Sequence, residues 1–313
     1  DSRNYMIDMR GLGEETIGSR LRDSDSAEGG AFITAVCQAA PRKSVFIDCT
    51  DDDSLYLRYE ELFRSGLGVV TSNRRSLAVP YVQYAALKAA ARENGTFFRY
   101  DTTVGTSLPI LESIASGANC SDGIESIEAV VSCTLNYVLT THERPECEES
   151  LAALLRRAQK ERLSETDPRT DLGGRDVLRK LLILAREAGV TLEEGDVQIT
   201  PMLGREFFDC PIEEFYSRLE ALEPKIQIRE KQLAAEGKRQ RFVAMMRRDP
   251  SARLGYRAEI KMVDVGADSP FYWLSGTENV TIIKSEYSAP LVIRGAGEGV
   301  RLAASGIIRD VLL

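Results

Sequence analysis

Hydrophobic and polar positions change period along the chain, and those changes predict its elements. VFIDCT (45–50), GVVTSN (68–73) and TFFRYD (96–101) are short apolar runs, rich in β-branched or aromatic residues, that end in polar ones, the pattern of buried strands. Between them SLYLRYEELFRSG (54–66) and VPYVQYAALKAAARENG (79–95) carry helical spacing, the first stopping at Gly66. Such β-α-β-α-β alternation predicts a parallel sheet with helices on both faces. In such sheets ligands sit beyond the carboxyl ends of the strands, where Thr50, Ser72, Asn73, Asp101 and Thr103 fall.

From about residue 105 the pattern changes. LPILESIASG (108–117) reads as a helix and GIESIEAVVS (123–132) as a strand. CEESLAALLRRAQKE (147–161) and ETDPRTDLGGRDVLRKLLILAREAG (165–189) read as helices, and PIEEFYSRLEALEPKIQIREKQLAAEG (211–237) as a charge-rich helical pair broken at Pro224. Four strand-like runs follow, within 241–249, 252–264, 279–286 and 289–295, and a final helix over 300–313. The expected fold is α/β: a parallel-sheet domain over 1–104, completed by a C-terminal segment of about 288–313, and an α+β domain over 105–287.

Composition narrows the function. A net charge of −8 gives nucleic acid little to bind. No apolar run reaches the ~20 residues that span a bilayer, and DSRNYMIDMRGLG lacks the basic-then-apolar order of a signal peptide. The six cysteines form no CxxC pair, so reduced thiols in the cytoplasm are expected. A single histidine, His142, argues against a histidine-based metal site or triad.

The chemistry concentrates in the stretch over 165–189. Asp176 and Lys180 lie four apart on one helix face, acid first, the favourable order for an ion pair. On a solvated surface such a pair contributes only about 0.3–0.5 kcal/mol. Here Val177, Leu181 and Leu184 make one apolar stripe and Leu178, Leu182 and Ala185 another, leaving little solvated face, so the pair is expected to point into a cleft. A lysine in a cleft can donate a hydrogen bond or a proton to a carbonyl oxygen becoming an alkoxide. Glu165, Asp167 and Asp171 can hold a substrate ammonium or simply cap the helix that follows. YDTTVGTSLPI (100–110) and SCTLNY (132–137) are strand-to-helix junctions, the first with Gly105 where a ligand can approach the backbone.

Together these motifs resemble the homoserine dehydrogenase family, especially the form fused behind an aspartate kinase. The long stretch over 165–189 carries the resemblance, with DCT (48–50), VVTSN (69–73), YDTTVG (100–105), SCTLNY, DSPFYWLSGTEN (268–279) and PLVIRGAGEG (290–299) in family order. The resemblance implies an incomplete Rossmann-type domain joined to a substrate and dimerisation domain. It also implies reduction of aspartate 4-semialdehyde to homoserine with NADP or NAD as cofactor, on the route to threonine and methionine, by a homodimer or higher homo-oligomer. Lys180 would face the aldehyde oxygen with Asp176 as its partner, and Glu165, Asp171 and Thr134 would bind substrate. Arg3, Thr50, Asn73, Arg74, Gly105 and Gly297 would line the cofactor groove, Arg3 meeting the 2′-phosphate of NADP. A monovalent cation would be held by the Asp101 side chain and the carbonyls of Val104, Thr106 and Leu108.

This sequence also departs from the family pattern. No GxGxxG occurs in it, so the phosphate-binding turn is expected ahead of Asp1. Arg74 stands where the family has lysine, Cys133 and Arg162 where it has glycine, and GTS (105–107) replaces Gly-Ala-Gly. These departures leave open an alternative, a catalytically degenerate homologue serving as a binding or dimerisation module beside the kinase.

Overall fold

The computed structural model describes residues 4–9, 11–13, 25–26, 30–41 and 43–313. The chain divides into two compact units, Asp1–Tyr100 and Asp101–Leu313.

In the first unit, strands β1 (Asn4–Tyr5) and β2 (Asp25–Ser26) pair antiparallel. The helix Ala31–Ala39 follows, formed by the apolar run AFITAVCQA. Strands β3 (Val45–Asp48), β4 (Gly68–Thr71) and β5 (Phe98–Arg99) then form the expected parallel sheet in chain order. β4 is buried at every position, which is why its apolar residues run without alternation. The helices Tyr59–Arg64 and Tyr81–Glu93 are the two crossovers. Tyr59, Leu62 and Phe63 are fully buried, and Tyr59 and Phe63 meet the edge of the Phe98 ring with centroids 5.7 and 5.9 Å away.

The second unit holds a six-stranded sheet, ordered β11-β10-β6-β8-β9-β7. Its strands are β6 (Ile124–Val130), β7 (Val197–Ile199), β8 (Lys238–Arg248), β9 (Tyr256–Gly266), β10 (Glu278–Ser285) and β11 (Leu291–Ala296). All neighbours are antiparallel except β7, which runs parallel to β9. β8 and β9, eleven residues each, pair along their full length.

One expectation is corrected. The segment over 211–237 is one helix, Ile212–Ala235, with Pro224 inside it. Pro224 is exposed, so the carbonyl it strips of a donor, four residues earlier, faces water rather than apolar core. The apolar helix within 165–189 starts after Gly174, as Arg175–Glu187, preceded by the short helix Arg169–Leu172; Gly174 is left-handed (φ 75°), and a Cβ there would meet the Phe242 ring at 3.0 Å. The final helix, Val300–Leu312, packs on Asp101–Thr103 within the second unit. Among the described residues no helix is long and apolar enough to cross a membrane.

Candidate functional site

The helix Arg175–Glu187 is buried on nearly every side: Val177, Leu178, Leu181, Leu182 and Leu184 are each at most 2% exposed. Burying such a side chain contributes about 1.5–3 kcal/mol, which fixes the helix firmly and with it the lysine it carries. Lys180 is itself 6% exposed. Its Nζ donates to Asp176 Oδ2 at 2.8 Å and to the Val131 carbonyl at 2.6 Å. An ammonium has three donors, and the third has no acceptor among the described residues. Asp176 is a third exposed, so the pair has one wet end and one dry end.

The Val131 carbonyl lies just past β6, where the chain turns into the helix Cys133–His142. Ser132 caps that helix by accepting from the Leu135 amide at 3.2 Å. One residue into the helix, the Thr134 hydroxyl is within donating distance of both the Leu163 carbonyl at 2.6 Å and Asp171 Oδ1 at 3.2 Å. Asp171 Oδ2 accepts from Ser164 Oγ at 2.9 Å and from the Glu165 amide at 3.0 Å. Burial pushes the Asp171 carboxyl above its usual range, against the pull of these donors, while the charge of Glu165 pushes the same way. Thus Lys180, Thr134 and Asp171 are all tied to one junction, residues 131–134. Glu165 contributes its backbone to this cluster, while its carboxylate is exposed. Asp167 turns the other way: the Arg169 guanidinium beside it depresses its pKa and occupies it. The sequence offered no sign of the Val131 carbonyl or Ser164, since neither role depends on an unusual residue type.

The residues expected to meet the cofactor fall in both units, each described in its own. In the first, Asp48 ends β3 and gathers the hydroxyls of Thr50 (2.7 Å) and Tyr59 around its carboxylate. Asn73 is 4% exposed and braces the turn, donating to the Asp52 carbonyl at 2.8 Å and accepting from the Arg75 amide at 2.9 Å. Its side chain holds the strand end together, whereas Thr50 is exposed there. These neutral hydroxyl and amide groups at the carboxyl ends of parallel strands fit the polar portion of a dinucleotide. Arg74 is half-buried at the start of the helix Arg75–Ala78. Arg3 lies outside the described residues. In the second unit Gly105 is left-handed (φ 75°), and Gly297 lies where a Cβ would strike the Asn279 side chain at 2.5 Å.

The cation expectation meets a different arrangement. Asp101 Oδ2 accepts from Arg309 Nη2, and Oδ1 from the Glu112 amide at 3.2 Å. The Leu108 carbonyl already accepts the Ile110 amide at 2.8 Å. Burial pushes the Asp101 carboxyl up to about 6, opposed by Arg309 and reinforced by the Asp310 charge. The one carboxylate of the set is neutralised by an arginine, so Asp101, Val104, Thr106 and Leu108 do not fit a metal ion. Among the described residues no group of three or more histidine, cysteine or acidic side chains is placed to hold one either.

The sequence profile of homoserine dehydrogenase matches residues 109–312, and the chain belongs to that family. It is 33% identical over 316 aligned positions to the bifunctional aspartokinase/homoserine dehydrogenase of Haemophilus influenzae, an alignment covering 100% of this chain and 38% of that one. The chain spans about a third of the length of the curated bifunctional relatives it matches. Among solved structures it is similar to a Candida auris protein of unknown function, with a TM-score of 0.85, 25% identity and coverage of 99% and 87% of the two chains. It shares its fold with a hyperthermophilic archaeal homoserine dehydrogenase in complex with NADPH, with a TM-score of 0.70, 21% identity and coverage of 96% and 79%.

Proposed function

We propose that this chain is the dehydrogenase portion of a longer protein and reduces aspartate 4-semialdehyde to homoserine. The observation that carries the reading is the Lys180 amine: nearly buried, held by Asp176 and the Val131 carbonyl, with one N–H left over. A bound NADPH or NADH supplies the hydride. Lys180 directs its spare N–H at the aldehyde oxygen and stabilises or protonates the alkoxide as charge develops. Asp176 keeps the amine aimed. The cluster of Thr134, Asp171 and Glu165 offers acceptors to the substrate ammonium, with the exposed Glu165 carboxylate the readiest of them. The NADPH-bound archaeal relative supports a nicotinamide cofactor, with Thr50 and Asn73 at the strand ends of the first unit as its proposed contacts.

A homodimer formed through the six-stranded sheet is part of the proposal. Leu291 and Val292 of its edge strand β11 are each 45% exposed, and Trp273 57%. The protein would be cytoplasmic, in keeping with its reduced-thiol composition.

The test is semialdehyde-dependent oxidation of NADPH by the complete natural protein, alongside its Lys180→Met variant, which keeps the stem and removes the charge. Turnover should fall about 10²–10⁴-fold with cofactor binding retained. Near-normal turnover in the variant would remove Lys180 from the chemistry. Wild-type protein that binds NADPH but oxidises none would favour the module reading instead.

A further inference from the structure

The final helix and the turn that follows β5 in the chain are joined by a cluster that the proposed reaction does not use. Helix Val300–Leu312 approaches residues 102–107 at Gly306, where a Cβ would lie 2.4 Å from Thr102 Cγ2 and 3.0 Å from the Thr106 carbonyl, so only glycine fits. One turn further along the same face, Arg309 and Asp310 both reach the turn. Arg309 Nη2 donates to Asp101 Oδ2, and Nη1 donates to the Ser107 carbonyl at 3.0 Å. Asp310 Oδ2 accepts the Asp101 amide at 3.0 Å. Arg309 Nε is buried and has no partner among the described residues. One guanidinium therefore bridges a buried carboxylate and a loop carbonyl, the two kinds of oxygen that a hard cation would take. Its planar fork matches that pair of acceptors, and it cannot lose its charge.

We infer that Arg309 is the built-in counter-cation of the turn over 101–108, so that this protein ties its last helix to that turn without a metal ion. The expectation of a monovalent cation fails for a chemical reason: the position is supplied from within the chain, 208 residues away in sequence. The inference concerns the stability of the second unit and stands apart from the reaction proposed above.

The test compares thermal midpoints of the complete protein in potassium, sodium and tetramethylammonium chloride at equal ionic strength. Wild-type midpoints should agree within about 1 °C, because no small ion is needed. Arg309→Met should lower the midpoint by roughly 10 °C in tetramethylammonium and regain part of that loss in potassium or sodium, as a small cation enters beside the freed carboxylate. Arg309→Lys, which restores the charge on a chain of similar reach, should lose less and respond less to the salt. A saturable, potassium- or sodium-specific gain in the wild type overturns the inference, and it can be read even where Arg309→Met fails to fold. An Arg309→Met protein indifferent to the choice of cation overturns it equally.

Discussion

Lys180 and His142 are both nearly buried cationic side chains in the second unit, yet they meet their carboxylates in opposite ways. Lys180 faces one acid on its own helix and one carbonyl, and has a donor to spare. His142 is clamped: Nδ1 lies 2.7 Å from Glu230 Oε1 and Nε2 2.8 Å from Glu223 Oε1. With a carboxylate on each ring nitrogen, the imidazole has nothing left to offer a ligand. Burial works against its charge, but the two glutamates outweigh it and raise its pKa above the ordinary value. Around it, Glu223 Oε2 accepts the Leu151 amide at 2.9 Å, and the adjacent Glu143 is engaged by Arg241 and Arg239. The lesson is that burial and charge alone do not mark a reactive group.

Substitution at each position should separate these roles. Lys180→Met carries the largest expected effect, the loss of turnover given above. His142→Leu should do the reverse: removing the shared cation leaves two carboxylates facing an apolar side chain, at a cost of about 3 kcal/mol in denaturant unfolding. KM and kcat of the protein that remains folded should be unchanged. A His142→Leu protein with unchanged stability but lower turnover would invert the comparison. Asp176→Asn, which keeps an acceptor for Lys180 but removes the charge, should cut kcat by roughly tenfold, about 1.4 kcal/mol in the barrier.

The pH dependence follows from the sign of the histidine shift. The folded-state pKa is raised, so folding is favoured by His142 fully below its unfolded value of about 6.5 and loses that contribution as pH rises through the folded value. Unfolding midpoints measured from pH 6 to 9 should therefore decline in the wild type with a component that His142→Leu lacks. The smallest expected effect tests a departure from the family pattern. Arg162, standing where glycine is usual, keeps a left-handed backbone with φ at 61°. Arg162→Gly should add about 1 kcal/mol of stability by relieving that strain, less the added freedom of the unfolded chain.

Much of this was legible in the sequence, for identifiable reasons. The strands of the parallel sheet stood out because buried strands are apolar throughout and end at polar residues. The Asp176 and Lys180 pair was legible because helical spacing fixes which side chains share a face. β7 was not, since three residues, VQI, carry too little pattern and its pairing with β9 is set by tertiary contact. Pro224 misled because a proline's missing donor matters less on a wetted face than in a core. The Asp101 and Arg309 pair was out of reach: nothing local in either segment names the other.

Pro224 also gives the histidine clamp a mechanical meaning. Glu223 lies one residue before the proline and Glu230 six residues after it, and both hold the same imidazole. A helix of 24 residues that lacks one backbone rung at its middle has a natural joint. His142 thus ties both sides of the proline to a second helix, Cys133–His142.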